Sequence, residues 1–279
     1  VHAELYHELL ETMEALDCPI EGLHTETGPG VIEAALVHDF AMRAADKGAL
    51  FKTFTKIIAQ RLGLMATFMA KWSDRYPGQS GHIHISLEDA DTGANVFAEA
   101  GAGGEAGMSD RMRWFIGGQV ALMPELLAMI CSTVNAYRRL VPGMWAPTHS
   151  NWGVDNRTTA IRAILAGAGT RSEYRVGPAD ANPHLALSAA LASGLWGIEN
   201  QIEPPPPISG NAYEDPGEGA VGLPGTLGEA ARLFAASKVA RELFGAPFVD
   251  HFAATRDWED RQARRQVSDW DLARYFEII

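Results

Sequence analysis

The chain has 279 residues, 47% hydrophobic and 21% charged, the balance of a folded protein with one large domain or two ordinary ones. That composition excludes a disordered chain. The best apolar stretch, Val120 to Val134, is broken by Pro124 and Glu125, short of the roughly 18–20 residues of a membrane span. Acidic residues outnumber basic ones 35 to 23, a net charge of −12 that argues against nucleic acid as a partner. Leu5, Leu9, Leu10, Met13 and Leu16 recur at helical spacing and predict a helix over Val1–Leu16, ended by Asp17–Pro19. Extended segments follow at Ile20–Thr27 and Gly30–His38, around Gly28-Pro29-Gly30. A second helix is predicted over Phe40–Leu62, with Phe51, Phe54, Ile57 and Ile58 on its apolar face and Gly63 as its C-terminal cap.

Leu64–Ala70 and His82–Leu87 read as strands, separated by a polar loop over Lys71–Gly81. Asp91-Thr92-Gly93 marks a turn, Ala100–Gly107 a Gly/Ala loop, and Met112–Val134 a longer helix. Leu140–Trp152 is an ordered Pro/Trp-rich loop, and Thr158–Ile164 and Ser172–Val176 read as strands. An Ala/Leu helix over Pro183–Ile202 leads into a mobile segment, Pro204–Gly225, and two last helices, Leu227–Leu243 and Phe248 to the end. This irregular alternation favours an α+β fold over a doubly wound one. Cys18 and Cys131 are too few for a disulfide framework and lack metal spacing; they read as buried reduced thiols of a cytoplasmic protein. The chain opens at Val1 without Met, charged n-region or cleavage site, so its true beginning is expected to be missing.

Charged groups collect in four places. In His24-Thr25-Glu26-Thr27-Gly28-Pro29-Gly30-Val31-Ile32-Glu33, two carboxylates flank a Gly-Pro-Gly turn. If the chain reverses there, Glu26 and Glu33 face each other beside an imidazole, a set that suits a hard divalent cation; the alternative is two surface glutamates. In Gly81-His82-Ile83-His84-Ile85-Ser86, strand alternation puts His82, His84 and Ser86 on one face, to ligate a metal, bind phosphate or simply meet solvent. Arg138, Arg139, Arg157 and Arg162 lie around the Pro/Trp-rich loop, and alternation in Arg171-Ser172-Glu173-Tyr174-Arg175 gives Glu173 and Arg175 a common face. A carboxylate beside arginines forms an ion pair; several arginines converging with metal-type carboxylates meet the needs of phosphoryl transfer from a nucleotide. The chain has neither GxxxxGK[ST] nor GxGxxG, so a nucleotide would bind by another architecture.

Taken in order, HTETGPGVIE, SGHIHISL, VNAYRRLVPGMWAP, NWGVDNRTTAIRA and RSEYRVGPADANPHLALSAALASGLWGIEN resemble the catalytic domain of glutamine synthetase, over about residues 20 to 203. The tail, HFAATRDWE and DWDLARYFEII, is similar to the end of a divergent γ-glutamylamide or γ-glutamylpolyamine ligase branch. The resemblance implies one catalytic domain over 1–279, an antiparallel sheet backed by helices and forming a funnel, with ATP entering at one end and glutamate at the other. Two or three Mg²⁺ or Mn²⁺ ions would lie at its waist. Glu26 and Glu33 would hold the metal nearer glutamate, and His82 and Glu173 the metal bridging the ATP phosphates. His84 would lie near the phosphates, with Arg157 and Arg162 on the phosphates and the transferring group. Gly78, Arg139 and Arg175 would bind glutamate, with Arg139 on the α-carboxylate and Arg175 orienting the γ-carboxylate. Arg157, Arg139 and Trp145 would form the catalytic set.

Three departures from the family pattern bear on function. Where ammonia-using members carry a glutamate, this chain has Trp145, which is no base and supplies an apolar wall for a larger amine, or merely packs its loop. Pro77-Gly78 replaces an Asn-Gly that helps hold the substrate amino group. The N-terminal β-grasp domain and a first strand with an E-x-E-like pair of metal glutamates are not found ahead of Glu26. In the family, that domain completes the site of a neighbouring subunit in a homo-oligomeric ring. The implied activity is ATP-dependent joining of glutamate to an amine other than ammonia, through γ-glutamyl phosphate, with the isolated chain weak or inactive. Ordinary glutamine synthesis and a non-catalytic structural or regulatory oligomer are the alternatives.

Overall fold

Amphipathic spacing and caps set the first elements in the computed structural model, which describes residues 2–100 and 106–278. Helix α1 spans Ala3–Ala15 and buries Leu9 and Met13. Strands β1 (Ile20–Thr25) and β2 (Ile32–Leu36) pair antiparallel. Helix α2 runs over Ala41–Arg61, and Gly63 follows it at φ 70°, the left-handed position that a C-terminal glycine serves. Ile58 is buried as its spacing predicts, whereas Ile57 is exposed. The strand expected over Leu64–Ala70 does not form. Met65 and Met69 are exposed, while Phe68 meets Phe51 edge-on at 5.9 Å. The alternation there marks an extended connection packed along α2, without a ladder partner.

Strand β3 is limited to Ile83–Ile85. Residues 100–107, expected to be a loop, are closed at both ends by the antiparallel pair β4 (Ala98–Ala100) and β5 (Ala106–Met108); the intervening 101–105 lie outside the described residues. Ser109 caps α3 (Asp110–Ile130), its hydroxyl accepting from Met112 N at 3.2 Å and donating to Val96 O at 2.7 Å. This helix ends four residues earlier than its hydropathy predicts, because Thr133 caps a new short helix, α4 (Val134–Tyr137). Then come β6 (His149–Ser150), β7 (Trp152–Val154), β8 (Ile161–Ile164) and β9 (Arg171–Tyr174). Asn182 and Pro183 begin α5 (Pro183–Glu199).

The segment 204–225, expected to be mobile, is tied down. Trp152 Nε1 donates to Pro205 O at 2.7 Å, Asn156 Nδ2 to Ile208 O and Gly210 O at 2.9 and 2.8 Å, and β10 (Val221–Gly222) pairs with β6. The next predicted helix is two, α6 (Leu227–Ala236) and α7 (Lys238–Phe244), split at Ser237, whose hydroxyl caps α7 and bonds Glu125 on α3. The last is also two, α8 (Ala246–Arg264) and α9 (Asp269–Tyr275), the second started by a Ser268–Asp271 capping box. No helix among the described residues is long and apolar enough to cross a membrane.

The main sheet has the order β3-β9-β8-β7, antiparallel except for the β7/β8 pair. The period-two alternation of its strands divides it into two faces. Ile85, Ile161, Ala163, Ser172 and Tyr174 point into the core. That core is built on α3, buried almost continuously from Phe115 to Ile130. Glycines let α3 and α5 touch backbone to backbone: a Cβ on Gly118 would stand 2.1 Å from Ser193 O. Buried Gln119 ties three elements, donating to Ala190 O on α5 at 3.1 Å and accepting from Ser172 Oγ on β9 at 2.7 Å. The rigid α3–α5 layer therefore fixes β9, and the opposite face of β9 carries the charged residues.

Candidate active site

Glu26 and Glu33 are brought together by the β1–β2 hairpin. Gly28 and Gly30 adopt φ of 116° and 75°, and Glu26 N donates to Val31 O at 2.9 Å to close the turn. The register sets His24 opposite Glu33, and Glu26, two residues on, shares the face of His24. His24 Nε2 stands 3.5 Å from Glu26 Oε1 and 3.4 Å from Glu33 Oε2. The two carboxyls diverge in acidity. The Thr27 amide, bonded to Glu26, holds that carboxyl below its ordinary pKa, while burial and the Glu26 charge push Glu33 up. The charge of Glu173 acts on Glu33 in the same sense.

Glu173 is the hub of that sheet face. Strand pairing sets it directly between His84 on β3 and Arg162 on β8. Its side chain, 4% exposed, receives Arg162 Nη1 on Oε2 at 3.1 Å, and Arg175 and His82 Nδ1 on Oε1, the latter at 3.2 Å. Burial raises the energy of the carboxylate, but His82 and Arg175 more than offset this and hold its pKa far below the ordinary value. Burial pushes His82 down to about 4, so at neutral pH its ring is uncharged. With Nδ1–H donated to Glu173, the lone pair lies on Nε2.

Among the described residues six buried side-chain polar atoms lack a partner, and three of them belong to the side chains on Glu173: His82 Nε2, Arg162 Nε and Arg175 Nε. Buried polar atoms are ordinarily paired, so these are groups that a bound ligand or ordered water can satisfy. The donor set fits a divalent cation with an anion: a bare imidazole nitrogen and carboxylates for the metal, unpartnered guanidinium N–H groups for phosphate oxygens.

The other expected residues fall differently. Arg157 is exposed on the turn between β7 and β8. His84 Nδ1 accepts from Arg171 Nε at 3.1 Å, which joins Arg171 to the site. Trp145 is 57% exposed, with φ 57°, a backbone region rare for a bulky residue. Arg139 is not displayed to solvent: it is 1% exposed and donates to Val176 O at 2.8 Å, Ser80 Oγ at 2.7 Å and Arg175 O at 3.2 Å. In this arrangement it anchors the chain that carries Arg175. Gly78 packs against it, since a Cβ there would meet Arg139 Cγ at 2.8 Å.

Three residues beside these clusters do not stand out as site residues in the sequence: His24, Arg171 and Asp155, which pairs with Arg162 Nη2 at 3.0 Å. The first two share strand faces with chosen neighbours, a signal that alternation carried. Asp155 was legible only as a member of NWGVDNR.

The family described as the catalytic domain of glutamine synthetase matches residues 2–275. The chain is 46% identical over 280 residues to type-1 glutamine synthetase 2 of Dictyostelium discoideum, covering 100% of this chain and 53% of that protein. It is 41% identical over 281 residues to a glutamate–isopropylamine ligase of a Pseudomonas species, covering 99% of this chain and 60% of the relative. A solved structure described as a GmaS/ADP complex superposes with a TM-score of 0.88 at 31% identity, covering 99% of this chain and 64% of that one. The chain thus spans a little over half the length of the curated relatives it matches.

Proposed function

The chain belongs to the glutamine synthetase catalytic-domain family, and on that premise we propose that it serves an ATP-dependent ligase joining the γ-carboxylate of glutamate to an amine other than ammonia. The observation that carries the proposal is the convergence of His82, Arg162 and Arg175 on Glu173, with an unpartnered polar atom on each. A metal-assisted phosphoryl transfer needs a cation ligand and fixed positive charge side by side.

The chemistry follows from the reactivity of a carboxylate, which does not release its oxygen to an amine. Its γ-carboxylate oxygen attacks the γ-phosphorus of ATP, and ADP leaves. The γ-glutamyl phosphate so formed accepts the amine at its acyl carbon, and inorganic phosphate leaves with the C–O bond pair while the nitrogen loses a proton. Arg162 and Arg175 stabilise charge on the phosphoryl group, and Glu173 holds both in place. Arg157 approaches the phosphates from the β7–β8 turn. His82 and Glu173 would hold one Mg²⁺ or Mn²⁺, and Glu26 and Glu33 another. Such ions supply charge neutralisation and Lewis acidity when bound. Arg139 supports the glutamate end through the backbone of Arg175. A homo-oligomeric assembly in the cytoplasm, with a neighbouring subunit completing the site, belongs to the same proposal.

Two observations favour a substituted amine: the likeness to a glutamate–isopropylamine ligase, and the apolar Trp145 in place of a glutamate. The likeness to a type-1 glutamine synthetase keeps ammonia as the second reading. A coupled ADP-release assay on the full gene product that carries this chain, with glutamate and a panel of amines, separates them. ADP release that depends on an alkylamine is the expected result. Preference for ammonium gives the second reading, and the absence of turnover with every amine contradicts both.

A further inference from the structure

We infer that the stacked pair Trp72–Tyr76, on the loop ahead of β3, is the wall against which the substituent of the amine substrate packs, and that it selects amines with an apolar substituent. The inference rests on the ligase reading given above and names the residues that set its amine class.

Sheet register locates the loop. Strands β3 and β9 are antiparallel, with Ile83 opposite Tyr174 and Ile85 opposite Ser172. The chain therefore enters β3 beside the end of β9 that leads to Arg175, where Gly81 N donates to Gly177 O at 2.9 Å. Arg171, which donates to His84, lies at the opposite end of β9. From its entry into β3 the loop reaches two parts of the site. Arg139 Nη2 donates to Ser80 Oγ at 2.7 Å, and a Cβ on Gly78 would meet Arg139 Cγ at 2.8 Å. Tyr76 lies on the turn between Glu26 and Glu33, where a Cβ on Gly28 would stand 4.0 Å from Tyr76 Cβ. An amine that attacks the γ-acyl carbon approaches between the phosphoryl group at Glu173 and the glutamate at the Arg175 end. Its substituent then extends toward this loop.

The loop is held in shape as an aromatic surface. The Trp72 and Tyr76 rings stack at 5.6 Å between centroids, 18° from parallel. Beside Trp72, the backbone of Lys71 is clamped by Asn135 of α4, donating to Oδ1 at 2.8 Å and accepting from Nδ2 at 2.9 Å. Lys71 Nζ donates to Tyr76 O, which ties the two rings' backbones together, and Gln79 N closes the base of the loop on Ala70 O at 2.8 Å. Stacking uses one face of each ring. Tyr76 is 39% exposed and Trp72 half-buried, and among the described residues no lysine or arginine lies over either ring. A free aromatic face attracts an alkylammonium through its π electrons and the alkyl group through buried area. Because the loop is fixed beforehand, little ordering cost falls on binding. Ammonium has no apolar surface to bury there.

The test is ADP release by the full gene product that carries this chain, with glutamate and the series methylamine, ethylamine, isopropylamine and benzylamine. In the wild type, kcat/KM for the amine is expected to rise by about threefold or more for each added carbon from methylamine to isopropylamine. Trp72→Ala and Tyr76→Ala are expected to flatten the series, lowering kcat/KM for isopropylamine by about tenfold through the amine KM. The KM values for glutamate and ATP should stay within about twofold of wild type, with melting temperature confirming that each variant is folded. Trp72→Phe and Tyr76→Phe keep a ring in place and should retain most of the slope, so the inference remains testable if an alanine variant fails to fold. Equal losses for methylamine and isopropylamine, a series unchanged in both alanine variants, or a rise confined to the glutamate KM overturns the role of the pair and leaves the ligase reading standing. Absence of turnover with every amine overturns that reading, and this inference with it.

Discussion

Glu173→Ala is expected to destabilise the chain by about 3–5 kcal/mol, the cost of removing one partner from a buried ion cluster. The side chains involved are withdrawn from water, Glu173 at 4% exposure, Arg175 at 8% and Arg162 at 18%. Without the carboxylate, two guanidinium groups and His82 lose their common acceptor and the positive charges repel each other. Glu173→Gln keeps the shape and one acceptor oxygen, so its loss is expected to be smaller. Chemical denaturation of the metal-free chain measures both. Wild-type stability in Glu173→Ala would mean that the cluster is solvated in solution and that Glu173 is no buried hub.

The same cluster gives stability a pH dependence of known sign. His82 titrates at about 4 in the folded chain against an ordinary 6.5, so the unfolded chain binds the proton first. Stability is therefore full above about pH 6.5 and falls as pH drops toward 4, on the order of 3 kcal/mol for this group. Glu173, with its pKa depressed, adds stability that is present above its ordinary 4.5 and is lost as pH falls below it. Melting temperature in metal-free buffer should be flat near neutrality and decline from about pH 6.5. The part of that decline above pH 4.5 should be reduced in His82→Gln.

Gly78→Ala is expected to destabilise by about 3 kcal/mol, although a single methyl group is added. A Cβ at Gly78 would lie 2.5 Å from Ala70 O and 2.8 Å from Arg139 Cγ. Ala70 is fully buried and its carbonyl already accepts from Gln79 N at 2.8 Å, so it has nowhere to retreat. Movement of Arg139 breaks bonds to Val176, Ser80 and Arg175 around a guanidinium whose pKa burial has already lowered to about 10. Gly222→Ala, where an added Cβ meets nothing within 4 Å, is the control and should fall within about 0.5 kcal/mol of wild type. A Gly78→Ala chain of normal stability that has lost only glutamate affinity would assign the glycine to the substrate instead of to Arg139.

Arg139 marks the boundary of what the sequence can say. Arg138 and Arg139 stand side by side at the edge of the Pro/Trp-rich loop, and nothing local distinguishes the exposed Arg138 from the buried Arg139. That distinction depends on carbonyls more than thirty residues away, at Val176 and Arg175. Glu26 and Glu33 were legible because one Gly-Pro-Gly turn reverses the chain between them, and His84, Glu173 and Arg175 because strand alternation is local. The pairing of Glu173 with Arg162 is a matter of register between strands, which single-strand patterns do not encode. Leu64–Ala70 has the hydropathy of a strand but lies in no ladder among the described residues, its Phe68 packing on Phe51 of α2, and Ser237 interrupts a helical pattern by capping the next helix while bonding Glu125. In each case a long-range contact outweighed local preference.

We propose the Glu173 cluster as a site for a divalent cation and a nucleotide phosphate. Calorimetric titration of Mg·ATP onto the chain tests it most directly, with Glu173→Gln and His82→Gln as the informative variants and circular dichroism confirming that each remains folded. Saturable binding by the wild-type chain, lost in both variants and weakened in Arg157→Ala without a change in melting temperature, is the predicted result. The absence of binding to the wild-type chain, or equal affinity in folded Glu173→Gln and His82→Gln, would contradict it.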